Sequence, residues 1–143
     1  MKKRILLVVL NLYSDWEAAY LSSFINLMGK GEFLVETVST TKNPIKSLGS
    51  FTVLPDYDVQ SVPEDYEAVI LIGGMSWREE EAKMVVPLVE DAVAKHKIIG
   101  AICDSTVFIG GMGLLNNVNH TSNDLDDLKQ WAGIMYTGEA KYI

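Results

Sequence analysis

Three short apolar runs, at residues 5–10, 68–72 and 98–102, constrain this chain more than any other feature. Each is about as long as a strand, and none alternates apolar with polar residues. A strand reads this way when helices cover both of its faces, as in a parallel sheet. The segments between the runs supply those helices. Ala18, Ala19, Leu21, Phe24, Ile25, Leu27 and Met28 recur at helical spacing, and Gly29 and Gly31 end that helix. Residues 33–38 read as another strand. Residues 45–54 read as a hairpin turning at Gly49 and Ser50 and stopped by Pro55 and Asp56. Residues 79–95 are helical in composition but contain Pro87, which predicts a short turn and then a main helix with the proline in its first turn. Residues 105–113 form a short helix, and Asp124 caps a last one running to about Trp131. Ser14-x-x-Glu17 and Ser76-x-x-Glu79 each fit a capping box.

Strands alternating with helices in 143 residues predict one α/β domain, with no repeat and no linker. In such sheets ligands bind at the carboxyl ends of the strands. The segment after Leu10, the pair Gly73 and Gly74, and Cys103 all fall at such ends.

Charge and cysteine usage narrow the function classes. The net charge is −7, and the only basic cluster is Lys2, Lys3 and Arg4. An acidic surface repels phosphate backbones, so no nucleic-acid partner is expected. No stretch approaches the roughly 20 apolar residues of a membrane span, and residues 5–10 are too short for a signal peptide's apolar region. A single cysteine excludes an internal disulfide and a thiolate zinc cage. These features predict a cytoplasmic protein. No G-x-G-x-x-G follows the first strand and the two histidines are far apart in sequence, so neither a dinucleotide nor a metal is expected. No other cofactor is expected, and the partner is a small-molecule substrate.

Gly100-Ala101-Ile102-Cys103-Asp104-Ser105-Thr106 joins a strand to a helix. A nucleophile elbow has this form and needs small residues two positions either side of the nucleophile, here Ala101 and Ser105. The helix start favours a thiolate, whereas the Asp104 charge opposes one. A free cysteine is also a common small core residue, so the residues alone leave both roles open. Glu17 is similarly divided between cap and functional carboxylate, with the cap favoured by local pattern.

The 100–106 segment, the run Val69-Ile70-Leu71-Ile72-Gly73-Gly74, the loop Tyr13-Ser14-Asp15-Trp16-Glu17, and the stretches His120-Thr121-Ser122-Asn123 and Tyr136-Thr137-Gly138-Glu139 together resemble the ThiJ/PfpI superfamily. The last two look like its glutamine-amidotransferase-like branch. The resemblance covers essentially the whole chain, in order. It implies a three-layer, flavodoxin-like sandwich, with Cys103 as nucleophile and Glu17 approaching its thiol. It also implies that the Gly74 and Asp104 amides form an oxyanion hole, with Gly73 beside them.

The sequence departs from the family at the histidine. Several members carry one where this chain has Asn123, and others directly after the cysteine, where it has Asp104. His120 is the nearer remaining candidate and His96 the weaker, so much of the case for a protease or amidase goes with the missing residue. Trp16 or Trp77 is a candidate for the pocket wall.

The resembled fold usually continues past Tyr142 and Ile143 with a further strand and helix. The chain is therefore expected to be truncated or unusually small, with apolar surface exposed, and to self-associate as a homodimer or larger assembly. Three functions follow. One is a cysteine hydrolase or carbonyl-processing enzyme (amidase, glutaminase-like, deglycase or glyoxalase). The second is a redox sensor or stress-protection protein oxidised at Cys103. The third is a non-catalytic, chaperone-like member.

Overall fold

The structure, a computed structural model, describes residues 2–139. Tyr142 and Ile143 lie outside the described residues, as does any continuation of the fold there. Five strands form one parallel sheet: β1 (Lys3–Val8), β2 (Phe33–Ser39), β5 (Tyr57–Asp58), β6 (Tyr66–Leu71) and β7 (Ile98–Ala101). Their order is β5-β2-β1-β6-β7, with β1 at the centre. A separate antiparallel hairpin pairs β3 (Ile45–Lys46) with β4 (Thr52–Val53). The helices are α1 (Asp15–Met28), α2 (Val86–Ala94), α3 (Ser105–Gly111) and α4 (Leu125–Ala132).

The central strand shows why the sheet needs two helical layers. Leu6 and Val8 point into one core with Val85, Val89 and Ala92 around α2, Val107 and Ile109 of α3, and Leu128 of α4. Ile5, Leu7 and Val9 point to the other face, where Ala18, Leu21 and Ile25 of α1 and Ile45 of the hairpin meet them. Side chains alternate along a strand, so an unbroken apolar run feeds both cores at once. Each fully buried Leu or Val contributes about 1.5–3 kcal/mol. The expected three-layer α/β architecture is therefore the one observed.

Pro87 behaves as its chemistry dictates. A 3-10 turn (Glu80–Val85) precedes α2, and the proline sits within the first two positions of the helix, where its missing amide costs nothing. The Asp124 side chain caps α4 by accepting from the Asp127 amide at 2.8 Å. The basic N-terminal cluster is partly absorbed by the sheet: Arg4 pairs with Glu36 and Asp65.

Both capping boxes fail. Ser14 stands at the start of α1 without a side-chain cap bond, and Glu17 turns away to the Gly73 amide. The Ser76 hydroxyl donates to the Asn11 carbonyl at 2.6 Å, which ties the loop after β6 to the loop after β1. Its partner Glu79 is itself the residue preceding the 3-10 turn, without a side-chain cap bond. In each case a tertiary acceptor or donor displaced the local one. The strand boundaries also shift: residues 9 and 10 stay in the core but lie beyond β1. The sequence reading placed no strand at β5, and α3 ends two residues before Gly113.

α1 is apolar on two sides. Leu21 and Ile25 pack inward, while Trp16, Tyr20, Phe24 and Leu27 form an outward stripe that is more than half exposed at every position. Among the described residues, no helix is long and apolar enough to cross a membrane.

Tyr66 is buried, and its hydroxyl donates to Asp91 at 2.6 Å, with Lys95 on the same carboxylate at 2.9 Å. The Tyr66 bond, and then Lys95, hold the Asp91 carboxyl below its ordinary value. A depressed carboxyl contributes stability above the unfolded value of about 3.9 and loses it as pH falls through the folded value. Asp91→Asn is thus expected to lower Tm near neutral pH. The gap to the unsubstituted protein should close as thermal melts are repeated at successively lower pH, below about 4.

Candidate functional site

The cysteine occupies a turn that its backbone does not favour. Cys103 links β7 to α3 with φ of 59°, in the left-handed region that non-glycine residues avoid. Such a residue costs of order 1–3 kcal/mol and persists only where its surroundings over-determine it. Ser105 and Thr106 do so here. The Ser105 hydroxyl accepts from the Ile102 amide at 2.9 Å and lies within 2.9 Å of the Leu71 and Ile102 carbonyls. The Thr106 hydroxyl donates to the Cys103 carbonyl at 2.7 Å. Both residues are buried, so these bonds are shielded from water.

Gly73 brings the carboxylate to the cysteine. Its amide donates to Glu17 Oε2 at 2.6 Å. A Cβ added there would stand 2.6 Å from Cys103 Cβ, 2.7 Å from Glu17 Oε2 and 2.8 Å from the Ile102 carbonyl. Two groups flanking one point this closely sit within a side chain's width of each other. Gly74 is excluded from carrying a side chain for a different reason. Its Cβ would meet the Leu12 carbonyl at 2.6 Å and Tyr13 Cα at 2.7 Å. There the 12–14 and 73–75 segments form an isolated antiparallel bridge, Tyr13 opposite Gly74. Its bonds run from the Ser14 amide to Gly73 and from the Met75 amide to Leu12. In a pair of this kind the Gly74 amide points away from the partner segment.

Beside Cys103 opens a cavity of about 630 Å³. Ile99, Ala101 and Leu114 give it an apolar wall, and Ser122, Asn123 and His120 give it polar groups. Asn123 Nδ2 lies 3.1 Å from Cys103 Sγ, so this amide takes the place on the thiol where the sequence comparison looked for histidine. His120 lines the same cavity, but both ring nitrogens are engaged. Nδ1 lies 2.8 Å from the Val118 carbonyl, which only accepts, so Nδ1 carries the proton. Nε2 lies 2.7 Å from the Tyr136 hydroxyl. His96 is exposed just beyond the end of α2. Trp77 is buried, donating to the Ile72 carbonyl at 2.7 Å, whereas Trp16 is 63% exposed. Neither lines the cavity. Among the described residues, no group of three or more His, Cys, Asp or Glu could hold a metal ion.

Asp104 carries the surprise. Its carboxylate receives two arms of Arg78, from Nε at 2.9 Å and from Nη2 at 2.5 Å. Sequence reasoning passed over Arg78 because it sat inside an apparent capping box. Asp127 of α4 is Arg78's second partner.

The Gly73 geometry predicts an intolerant position. Gly73→Ala forces Cys103 and Glu17 apart and costs about 1–3 kcal/mol by overpacking. A urea melt is expected to show that loss.

Comparison with known proteins follows the same outline. The model of the DJ-1/PfpI family matches residues 3–141. The uncharacterized protease YdeA of Bacillus subtilis strain 168 is 36% identical over 136 residues, 92% of this chain and 66% of that protein. The uncharacterized protease YoaZ of the same organism is 32% identical over 146 residues, 98% of this chain and 69% of that protein. The chain thus spans about two thirds of the length of these relatives. The crystal structure of a thiJ/pfpI family protein from Bacillus anthracis superposes with a TM-score of 0.86 at 30% identity, covering 96% of this chain and 68% of that one. With the family matched from the first strand to beyond α4, and the same fold found at this identity, the chain belongs to the DJ-1/PfpI family.

Proposed function

We propose that this protein is a cysteine-dependent enzyme, a hydrolase or a processor of small carbonyl compounds, with Cys103 as its nucleophile and Glu17 tuning the thiol. The observation that carries this is the left-handed turn at Cys103, which we read as a nucleophile elbow, opening on a cavity with an apolar wall and polar groups. Two B. subtilis relatives named as uncharacterized proteases direct the substrate class towards amides and related acyl compounds.

In this reading the Cys103 thiolate attacks the acyl carbon. The S–C bond forms as the carbonyl electron pair moves to oxygen, where the Gly74 and Asp104 amides stabilise it. The tetrahedral intermediate collapses, the C–N or C–O bond breaks, and the leaving group departs with a proton relayed through Glu17. Water then cleaves the thioester, releasing the acid and restoring the thiol. A protonated Glu17 favours the thiolate by donating to it, and an ionised one opposes it. The partner of such a site is a small molecule. Self-association belongs to the same proposal, through the uncharged outward stripe of α1, and a clean monomer in light scattering at micromolar concentration removes that part.

A second reading has its own support. Both nitrogens of His120 are occupied, so among the described residues no histidine is free to act as base on Cys103, which suits reversible oxidation of the thiol better than hydrolysis. Peroxide followed by mass spectrometry distinguishes the two: oxygen added at Cys103 in a protein with no turnover favours the redox role.

The enzyme reading predicts saturable turnover of small amides, esters or carbonyl compounds that Cys103→Ala abolishes. It also predicts that alkylation of Cys103 slows about tenfold at neutral pH in Glu17→Ala. An alkylation rate that Glu17→Ala leaves alone makes Cys103 a packing residue.

A further inference from the structure

We infer that Arg78 is a positioning residue of the Cys103 site, keeping the Asp104 charge off the thiol; this rests on Cys103 being the reactive group proposed above. The carboxylate next to the cysteine in sequence is a negative charge that works against a thiolate there. Asp104 is not left bare. Arg78 Nε and Nη2 hold it in a forked pair, and its side chain is only 14% exposed. The same guanidinium reaches α4, with Nη1 at 3.1 Å and Nη2 at 2.6 Å from Asp127. Its Cζ lies 4.8 Å from the centre of the Trp131 ring, so the ion pairs are backed by a flat aromatic surface. The two carboxylates hold Arg78 further on the charged side than a free arginine.

The position of Arg78 explains why one residue serves this purpose. It follows Gly73 and Gly74 on the loop after β6, Asp104 follows Cys103, and Asp127 follows Asn123 by four residues. A single planar cation therefore joins the three segments that supply the glycine amides, the thiol and the amide group on the thiol. Arginine suits this because its fork satisfies two carboxylates at once, which a point-charged lysine cannot do.

The other charges near the thiol belong to different elements. Glu17 approaches from α1 through Gly73, and His120 lines the cavity from the loop before α4. Glu79 and Lys83 border the groove that holds Arg78 and Asp104, and Asp127 is on the far arm of the pair. Only Asp104 is adjacent to Cys103 in sequence and also held by Arg78. Arg78→Gln would leave Asp104 and Asp127 both uncompensated, and Asp104 is the one that adjoins Cys103.

The test is the pH dependence of Cys103 alkylation by iodoacetamide in the folded protein, with folding checked by thermal melts. Arg78→Gln is expected to move the profile to higher pH and slow alkylation about three- to tenfold at a fixed pH below the midpoint. Asp104→Asn is expected to react as fast as the unsubstituted protein or faster. The double variant is expected to return to within about twofold of it, because the charge that Arg78 masked is gone. Arg78→Lys, which keeps the cation without the fork, is expected to recover part of the rate, and Arg78→Met, with the same shift expected as for Arg78→Gln, carries the test if Arg78→Gln does not fold. Asp127→Asn leaves the Asp104 pair in place and is expected to change the profile little.

An unmoved profile in Arg78→Gln, a double variant as slow as Arg78→Gln alone, slower alkylation in Asp104→Asn, or an equal shift in Asp127→Asn each overturns the inference. Failure of the enzyme reading looks different: no turnover, or a thiol indifferent to Glu17, with the Arg78 and Asp104 effects intact.

Discussion

The arrangement around Cys103 depends on a close approach that only a glycine permits. Gly73 leaves β6 with Glu17 on one side and the Cys103 side chain on the other, each within 2.7 Å of where its own side chain would begin. Its amide fastens the carboxylate, and its missing Cβ lets the cysteine approach. Moving either neighbour by the width of a methyl group would break the bond from Gly73 to Glu17 or unseat the turn at Cys103. That turn in turn depends on buried hydroxyls of Ser105 and Thr106, which stabilise a backbone shape that a cysteine does not adopt by itself.

Electrostatics at the site is divided between two acids with opposite surroundings. Glu17 is held by a backbone amide and faces the cysteine across Gly73. Asp104 is drawn away into a charged pair with Arg78, which also anchors the start of α4. The loop ahead of that helix carries Asn123 onto the thiol and His120 into a closed pair with Tyr136. Among the described residues, the groups gathered around this thiol are amides and carboxylates.

Much of the fold was legible because it follows from short-range rules. Unbroken apolar runs gave the buried strands, Pro87 divided its segment where ring geometry requires, and Asp124 capped α4. The errors came from local patterns with competing tertiary partners. Ser14 and Glu17 have the spacing of a capping box, yet the Gly73 amide, 56 residues away in sequence, claims the glutamate. Ser76 and Glu79 have the same spacing, yet the Asn11 carbonyl claims the serine. Residues 57–58 are too short and too polar to announce a strand, and they form one only because the β2 edge is beside them.

The sequence by itself determined a parallel α/β sheet, the strand ends that face the ligand side, and the residue types collected there: one cysteine, a glycine pair and a glutamate. Periodicity and composition are properties of neighbours along the chain, so they can be read without coordinates. Which groups touch was decided only by the tertiary structure. Asn123 rather than His120 stands on the thiol, Arg78 rather than solvent meets Asp104, and Glu17 serves Gly73 rather than its own helix. Each of these choices is a competition between a local partner and a distant one, and packing the sheet against its helices determines which of them comes within reach.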